Sequence, residues 1–337
     1  MNTKKITLRD VWNTLVKPES SQVNSKKHVS EIERNLTRWE TFWDGSKQCR
    51  VSKIERQHVD DWKRHLIEFG LAPRSVNKHI ATIRLLLIAA EDHNIIKKRP
   101  RLAMMMEPKH QTKLYLRNEQ IDSLFATSDR LRWPATSIST GDWWRCALIL
   151  YRTYGFRSQE LVAYETGKKP ITWSNISFDH ESPDLDSREM CLTGWLHYIP
   201  PKTAKSKPSP ICIPLTQYTR GAVNVLLRAK KSDHDPIMNN PRNQERFFET
   251  WNAWMKHADV QPKNQEKCFQ PRHLRKTCAT YMNQFKPGLA SAICLWGTIS
   301  EATVAQDHYI SNDLLLREIH NAPMPDSFSW ALQYLDQ

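Results

Sequence analysis

The sequence has no C-x-x-C pair, and its cysteines number seven: Cys49, Cys146, Cys191, Cys212, Cys268, Cys278 and Cys294. An odd, unpaired set argues against a disulfide framework and against a zinc site, and for a reducing, cytoplasmic setting. Several lie within apolar segments, where a reduced cysteine behaves as a small hydrophobe. Long apolar runs are also missing. The longest, Leu85 to Ala90, falls far short of the roughly 20 residues a membrane-spanning helix needs, so no membrane partner is expected. Met1-Asn2-Thr3-Lys4-Lys5 leads into no apolar core, so no secretory signal is expected there. No G-x-x-x-x-G-K-[ST] occurs, which removes the usual signature of an ATP site. Repeats at a fixed period and low-complexity tracts are absent as well.

What is present is length and positive charge. The 337 residues are 39% hydrophobic and 25% charged, enough for two globular domains with sizeable cores. A formal net charge of +13 favours a polyanionic partner, most simply nucleic acid.

Apolar residues recur at helical steps in three series near the start: Val29, Ile32, Leu36, Trp39 and Trp43; Val59, Trp62, Leu66 and Phe69; and Val76, Ile80, Ile83, Leu87 and Ala90. Each predicts one buried helical stripe. Pro73 suits the first turn of the third helix. The opposite faces carry Lys26, Lys27, Arg34, Arg38, Lys63, Arg64, Arg74, Lys78 and Arg84. Lys97-Lys98-Arg99-Pro100-Arg101, followed by a polar stretch with Pro108, reads as an interdomain linker. The segmentation expected is a helical domain over 1–100, a linker over 101–113, a second domain over 114–325 and a tail over 326–337. Within the second domain, Arg117–Phe125 and Trp143–Tyr154 predict helices, the latter ending near Gly155. Ile171–Phe178, Trp195–Ile199 and Ile211–Leu215 have strand character. The fold class expected is therefore mainly α with one small antiparallel β-sheet, an α+β arrangement.

Four segments of the second domain bear on chemistry. They are Tyr154-Gly155-Phe156-Arg157-Ser158-Gln159-Glu160-Leu161, then Pro201-Lys202-Thr203-Ala204-Lys205-Ser206 with Ile211-Cys212-Ile213-Pro214-Leu215. Arg272-His273-Leu274-Arg275-Lys276-Thr277-Cys278-Ala279-Thr280 follows, and last Ser300-Glu301-Ala302-Thr303-Val304-Ala305-Gln306-Asp307-His308-Tyr309. In order and spacing they resemble the tyrosine recombinase, or phage integrase, family: T-G-x-R-x-x-E-L, a K-T-x-K hairpin ending in V-P-L, H-x-L-R-x-T-x-A-T, and a segment ending in a nucleophilic tyrosine. The resemblance spans about residues 6 to 320. It implies a SAM-like, core-binding N-terminal helical domain and a catalytic domain that needs no metal and no cofactor. It further implies double-stranded DNA as partner, with homodimers to homotetramers assembling on it.

By the same resemblance Tyr309 is the nucleophile, Arg157 and Arg275 clamp the scissile phosphate, and Lys202 is the general acid for the leaving 5′-oxygen, with Lys205 as the alternative. Elementary chemistry agrees with the pair of arginines, because a planar, permanently charged guanidinium matches phosphate oxygens. A tyrosine ester stores the bond energy without ATP. Glu160, three residues after Arg157, is expected to orient and hold the site rather than to act on substrate. Two positions depart from the family pattern. Arg272 stands where the family usually has His, so a phosphate donor replaces a proton acceptor, and deprotonation of Tyr309 is left to His308 or His273. Nine residues before Tyr309, where the family has His or Trp, stands Ser300; Trp296 is assigned to the core. Lys63, Arg74, Lys78, Arg84, Lys98 and Arg101 are the expected DNA-backbone contacts. Phe328, Leu332 and Leu335 predict a terminal helix, either passed to a neighbouring subunit or packed on its own domain. Two other functions stay open: a type IB topoisomerase, and a catalytically decayed, site-specific DNA-binding accessory protein.

Overall fold

The computed structural model describes residues 6–23, 26–43, 50–107, 114–162, 170–181, 191–199, 211–239, 243–260, 269–294 and 317–335. The chain divides into two compact units, Met1–Gln111 and Thr112–Gln337.

The first unit is helical: α1 (Leu8–Val11), a π-helical turn over Trp12–Val16, α2 (Lys17–Val23), α3 (Lys26–Phe42), α4 (Arg56–Glu68) and α5 (Pro73–Asp92). Thr7 opens α1 with a reciprocal cap, accepting from the Asp10 N–H at 3.2 Å while its own N–H donates to the Asp10 carboxylate at 2.9 Å. Pro73 begins α5, where its missing N–H costs nothing. The three apolar series fall on α3, α4 and α5 and meet in one core that includes Ile32, Leu36, Trp39, Val59, Trp62, Leu66, Val76, Ile80, Ile83 and Leu87. Trp39 and Trp62 meet edge to face at 5.9 Å between ring centroids, the arrangement that the aromatic quadrupole favours. Phe69 leaves the stripe and is 67% exposed. The reason is local: α4 stops at Glu68, and the Leu71 N–H turns back to the Leu66 carbonyl at 3.1 Å, a helix-closing turn that carries Phe69 off the apolar face. The stretch after the basic run also departs from a plain linker. Leu102 and Met105 pack on the helical core, and the Asn77 amide brackets the Met105 backbone, accepting at 2.7 Å and donating at 3.0 Å.

The second unit is built around α7 (Thr140–Tyr154), with α6 (Asn118–Thr127), α8 (Ser158–Leu161), α9 (Gln217–Leu227), α10 (Gln244–His257), α11 (Pro271–Phe285) and α12 (Leu289–Cys294). From Trp143 to Tyr154 every residue of α7 except Arg145 is buried, which makes it the core element on which the others pack. A small antiparallel sheet of β1 (Ile176–Ser177), β2 (Trp195–Tyr198) and β3 (Ile211–Pro214) lies in that order. Its register pairs Ile176 with Leu196, and Leu196 with Ile213. The chain therefore has the α+β architecture read from the sequence. The strand expected over 171–178 shrinks to two residues, because a 3₁₀ turn over Trp173–Asn175 interrupts it. The Asn175 side chain accepts from the Thr172 N–H at 3.0 Å, a local bond that outcompetes the sheet ladder. Among the described residues no helix is long and apolar enough to cross a membrane.

The tail forms a 3₁₀ turn over Asp326–Tyr334 rather than an α-helix. In the single chain it packs on its own unit. Phe328 and Ala331 are buried, Asn224 donates to the carbonyls of Tyr334 and Leu335 at 2.7 and 3.1 Å, and the Ser327 N–H donates to Asp122 at 3.1 Å. Gly221 of α9 makes this closeness attainable, since a Cβ there would lie 1.9 Å from the Ala331 carbonyl oxygen. Both sides of that contact are backbone, so Gly221→Ala must displace the tail. We expect it to lower unfolding free energy by about 1–3 kcal/mol and to raise amide exchange over 326–335. An unchanged denaturation midpoint and exchange pattern would contradict the close approach.

Candidate active site

The site is assembled from the end of α7. Ser139 caps its start, accepting from the Asp142 N–H at 3.0 Å, and Gly155 ends it with φ of 60°, a left-handed conformation that costs least without a Cβ. The chain then turns through Phe156, which is 1% exposed, and Arg157 stands at the N-cap of α8. The Tyr151 hydroxyl of α7 donates to the Ser158 carbonyl at 2.9 Å and ties the two helices together. Glu160, at the third position of α8, accepts from the Arg157 N–H at 2.7 Å and from its guanidinium through the other carboxylate oxygen. The Glu160 side chain is only 5% exposed and that of Arg157 is 32%. A buried carboxylate thus fixes one edge of a guanidinium whose remaining edge reaches the surface.

The second cation comes from α11, where Arg275 stands 120 residues after Gly155. Pro271 starts this helix. One face docks it: the Cys278 thiol donates to the Thr153 carbonyl at 3.3 Å, and the Thr277 hydroxyl accepts from the Leu116 N–H at 2.9 Å while donating to the His273 carbonyl at 3.0 Å. Leu274, Thr277 and Cys278 are fully buried. This leaves Arg275 facing the turn, where its Nη1 donates to the Gly155 carbonyl at 2.5 Å. Arg157 and Arg275 are therefore brought to one three-residue turn. Arg272, one helical turn earlier, is exposed and has no hydrogen bond or ion pair among the described residues.

His273 is placed differently from a proton acceptor at a reaction centre. It is 6% exposed, its Nδ1 accepts from the Gln270 N–H at 2.9 Å, and its ring meets Phe269 edge-on. This is a helix-starting bond in the core. Lys202, Lys205, Trp296, Ser300, His308 and Tyr309 lie outside the described residues. The Gly155 carbonyl and the Leu116–Thr277 bond had no side-chain signal in the sequence. The Thr-Cys pair after Arg275 was visible, but its meaning as a docking face needed α7 beside it.

The expected DNA contacts of the first unit separate into groups. Lys63 pairs with Asp60 at 3.1 Å and Lys78 with Glu31 at 2.9 Å. The Lys63 side chain is 18% exposed and that of Lys78 60%; an exposed pair such as the second contributes about 0–1 kcal/mol, too little to hold Lys78 away from a phosphate. Arg84, Lys98 and Arg101 line one cavity of about 420 Å³ together with Arg99, which pairs with Glu91 at 2.9 Å. Arg74 is exposed on α5. A second, larger groove carries Arg34, Arg38, Lys78 and His79, with the Arg38 guanidinium 5.4 Å above the Phe69 ring.

No protein-family model matches the sequence, and no curated protein matches it. Solved structures do match in fold. The Tn1549 transposon integrase, in complex with circular intermediate DNA, matches with a TM-score of 0.61 at 13% identity, over 91% of this chain and 96% of that one. A lambda integrase dimer bound to a COC′ core site gives 0.61 at 16% identity, over 88% of this chain and 97% of that one. A lambda integrase tetramer bound to a Holliday junction gives 0.62 at 15% identity, over 89% and 77%. At these identities the likeness is one of fold, and the fold is that of the tyrosine recombinases. More narrowly, it is the fold of integrases solved on DNA.

One pH dependence follows. His273, and His79 in the first unit, are both held down at about 4, against an ordinary 6.5. Burial is the main cause, followed by Arg38 for His79 and by Lys276 and Arg272 for His273. Between about 4 and 6.5 the unfolded chain binds protons that the folded chain refuses, so stability is lost as pH falls through this window. Denaturant midpoints should drop from about pH 7 to about pH 5, and His273→Gln should shrink the drop for the second unit. A midpoint flat over that range would mean that both rings take up protons in the folded state.

Proposed function

We propose that the chain is a site-specific DNA recombinase that cleaves and rejoins duplex DNA through a 3′-phosphotyrosyl bond at Tyr309, in the integration, excision or resolution of mobile DNA. The observation that carries this reading is the meeting of Arg157 and Arg275 at one helix-ending turn, within the tyrosine recombinase fold. Two fixed, half-buried guanidiniums suit the non-bridging oxygens of a phosphodiester, where charge grows during attack. The Tyr309 oxygen attacks the phosphorus and the P–O5′ bond breaks. Lys202 gives its proton to the leaving 5′-oxygen. A 5′-hydroxyl from another strand then reverses the step, so no net bond energy is consumed. Arg272 adds a third donor, and His308 is the remaining candidate for the tyrosine proton, since His273 is engaged in the helix start.

In this reading the helical domain, 1–100, is joined by the 101–113 linker to the catalytic domain, 114–325, and both contact DNA. Protomers assemble as dimers to tetramers on the DNA, in the cytoplasm. The neighbours solved as a dimer on a core site and as a tetramer on a Holliday junction support this assembly. Arg84, Lys98 and Arg101 are the first-ranked backbone contacts because they share one cavity, and Arg74, Lys63 and Lys78 follow. Log K should fall against log salt at about −0.9 per phosphate neutralised.

The test is covalent trapping in EDTA on nicked fragments from the DNA flanking the gene. Wild-type protein should give a denaturant-resistant adduct, Tyr309→Phe none, and Arg157→Ala and Arg275→Ala a rate lower by ~10²–10³. An adduct that persists in Tyr309→Phe would place the nucleophile elsewhere. Salt-sensitive, sequence-specific binding without any adduct would replace this reading with that of an accessory DNA-binding protein. Relaxation of a plasmid lacking any target site would replace it with a topoisomerase.

A further inference from the structure

Cys191 takes no part in the reading above, and its surroundings differ from those of Cys146 and Cys278. It precedes β2 in the chain. Its backbone is pinned by a bond from its N–H to the His180 carbonyl at 2.7 Å and by the turn from Gly194 N–H back to its own carbonyl at 3.2 Å. The thiol faces His320, of the 3₁₀ turn Glu318–Asn321, with Sγ 3.7 Å from Nε2. Thr193 Oγ1 is 3.1 Å from the sulfur and also within reach of the Leu215 carbonyl, so its one proton is shared between two acceptors. His320 is the leading side-chain partner of the sulfur, and Thr193 assists it. Beside the pair opens a cavity of about 440 Å³, lined by Cys191, Thr193, Trp195, Gln217, Arg317 and His320. Among the described residues, the charged or titratable side chains lining it beside the thiol are those of Arg317 and His320.

Cys146 and Cys278 are fully buried and engaged with backbone carbonyls, and burial pushes the Cys146 thiol well up. Cys191 moves the other way. Burial raises it, but hydrogen bonding to His320 and then Thr193 outweighs this and brings it to about 7. Thiolate character and access are what make a cysteine reactive.

We propose that Cys191 and His320 form a reactive thiol site, a thiolate–imidazole pair that hydroperoxides oxidise and small soft electrophiles alkylate from the adjoining cavity. The thiolate sulfur attacks the terminal oxygen of the hydroperoxide and the O–O bond breaks. Sulfur is oxidised to the sulfenic acid, and the hydroperoxide is reduced to an alcohol, or to water when it is hydrogen peroxide. The His320 Nε2 proton goes to the departing oxygen. Oxidation replaces the contact that ties 191–193 to the 318–321 turn. The site is independent of the proposed strand transfer and can be tested without DNA.

The experiment is a brief iodoacetamide pulse on the reduced, full-length protein across neutral pH, followed by unfolding, labelling of the remaining thiols with an isotopic form, and site-by-site mass spectrometry. Cys191 should be alkylated at least ~10-fold faster than Cys146 and Cys278 at neutral pH. Its rate profile should break a unit or more below the ordinary thiol value of about 8.5. His320→Gln, and His320→Asn as a second variant, should move the break upward and slow the neutral rate ~10-fold, since one unit is a tenfold change in thiolate fraction, with the thermal midpoint retained. Hydrogen peroxide with a dimedone trap should mark Cys191 and leave Cys191→Ser unmarked at that position. Cys191 is itself only 7% exposed, so a Cys191 that reacts no faster than Cys146 and Cys278, or a profile that neither His320 variant shifts in folded protein, would overturn the proposal.

Discussion

The hydrogen bond from the Arg275 guanidinium to the Gly155 carbonyl, 2.5 Å long, is the contact on which the candidate site depends. It joins two helices distant in sequence, and it does so at the one place where α7 cannot continue. A helix end leaves carbonyls without partners, and the left-handed Gly155 turns one of them outward. Arg275 supplies the missing donor. The same turn delivers Arg157 two residues later, where Glu160 fixes it from below. The turn that ends a buried helix thus fixes both arginines, one through its carbonyl and the other through its own place in the chain.

Around this contact the rest of the second unit acts as a brace. α7 is buried along nearly its whole length, so its end is not free to shift. α11 is held to it by Cys278 and to the start of the unit by Thr277. Arg272 and Arg275 then fall where docking residues do not, one helical turn apart. The arrangement separates roles along one short segment: Thr and Cys dock, Arg reaches outward, and His273 closes the start of the helix.

The first unit follows a simpler logic. Three apolar stripes at helical spacing bury three tryptophans, Trp12, Trp39 and Trp62, and push the bases outward. Some of those bases are matched by acids on the same surface, at a contribution too small to fix them there. Others, at Arg84, Lys98 and Arg101, gather without an equal number of acids around one cavity.

Periodicity and end signals determined a great deal by themselves. The three N-terminal stripes, the α7 helix with its glycine stop, the two longer strands and the α+β class were all readable, because each depends on residues close in sequence. The identities of Arg157, Glu160, Arg272 and Arg275 as a group were readable only through the resemblance of their spacing to a known family. Tertiary structure decided what the pattern could not. It turned Phe69 outward, cut the 171–178 strand to two residues through Asn175, drew His273 into the helix start, and folded the 326–335 tail onto α9. It also brought Cys191 to His320 across 129 residues. In each case the deciding partner is a backbone carbonyl, a backbone N–H or a side chain remote in the chain. A sequence displays side chains in order, but it does not display which unsatisfied backbone group each will meet.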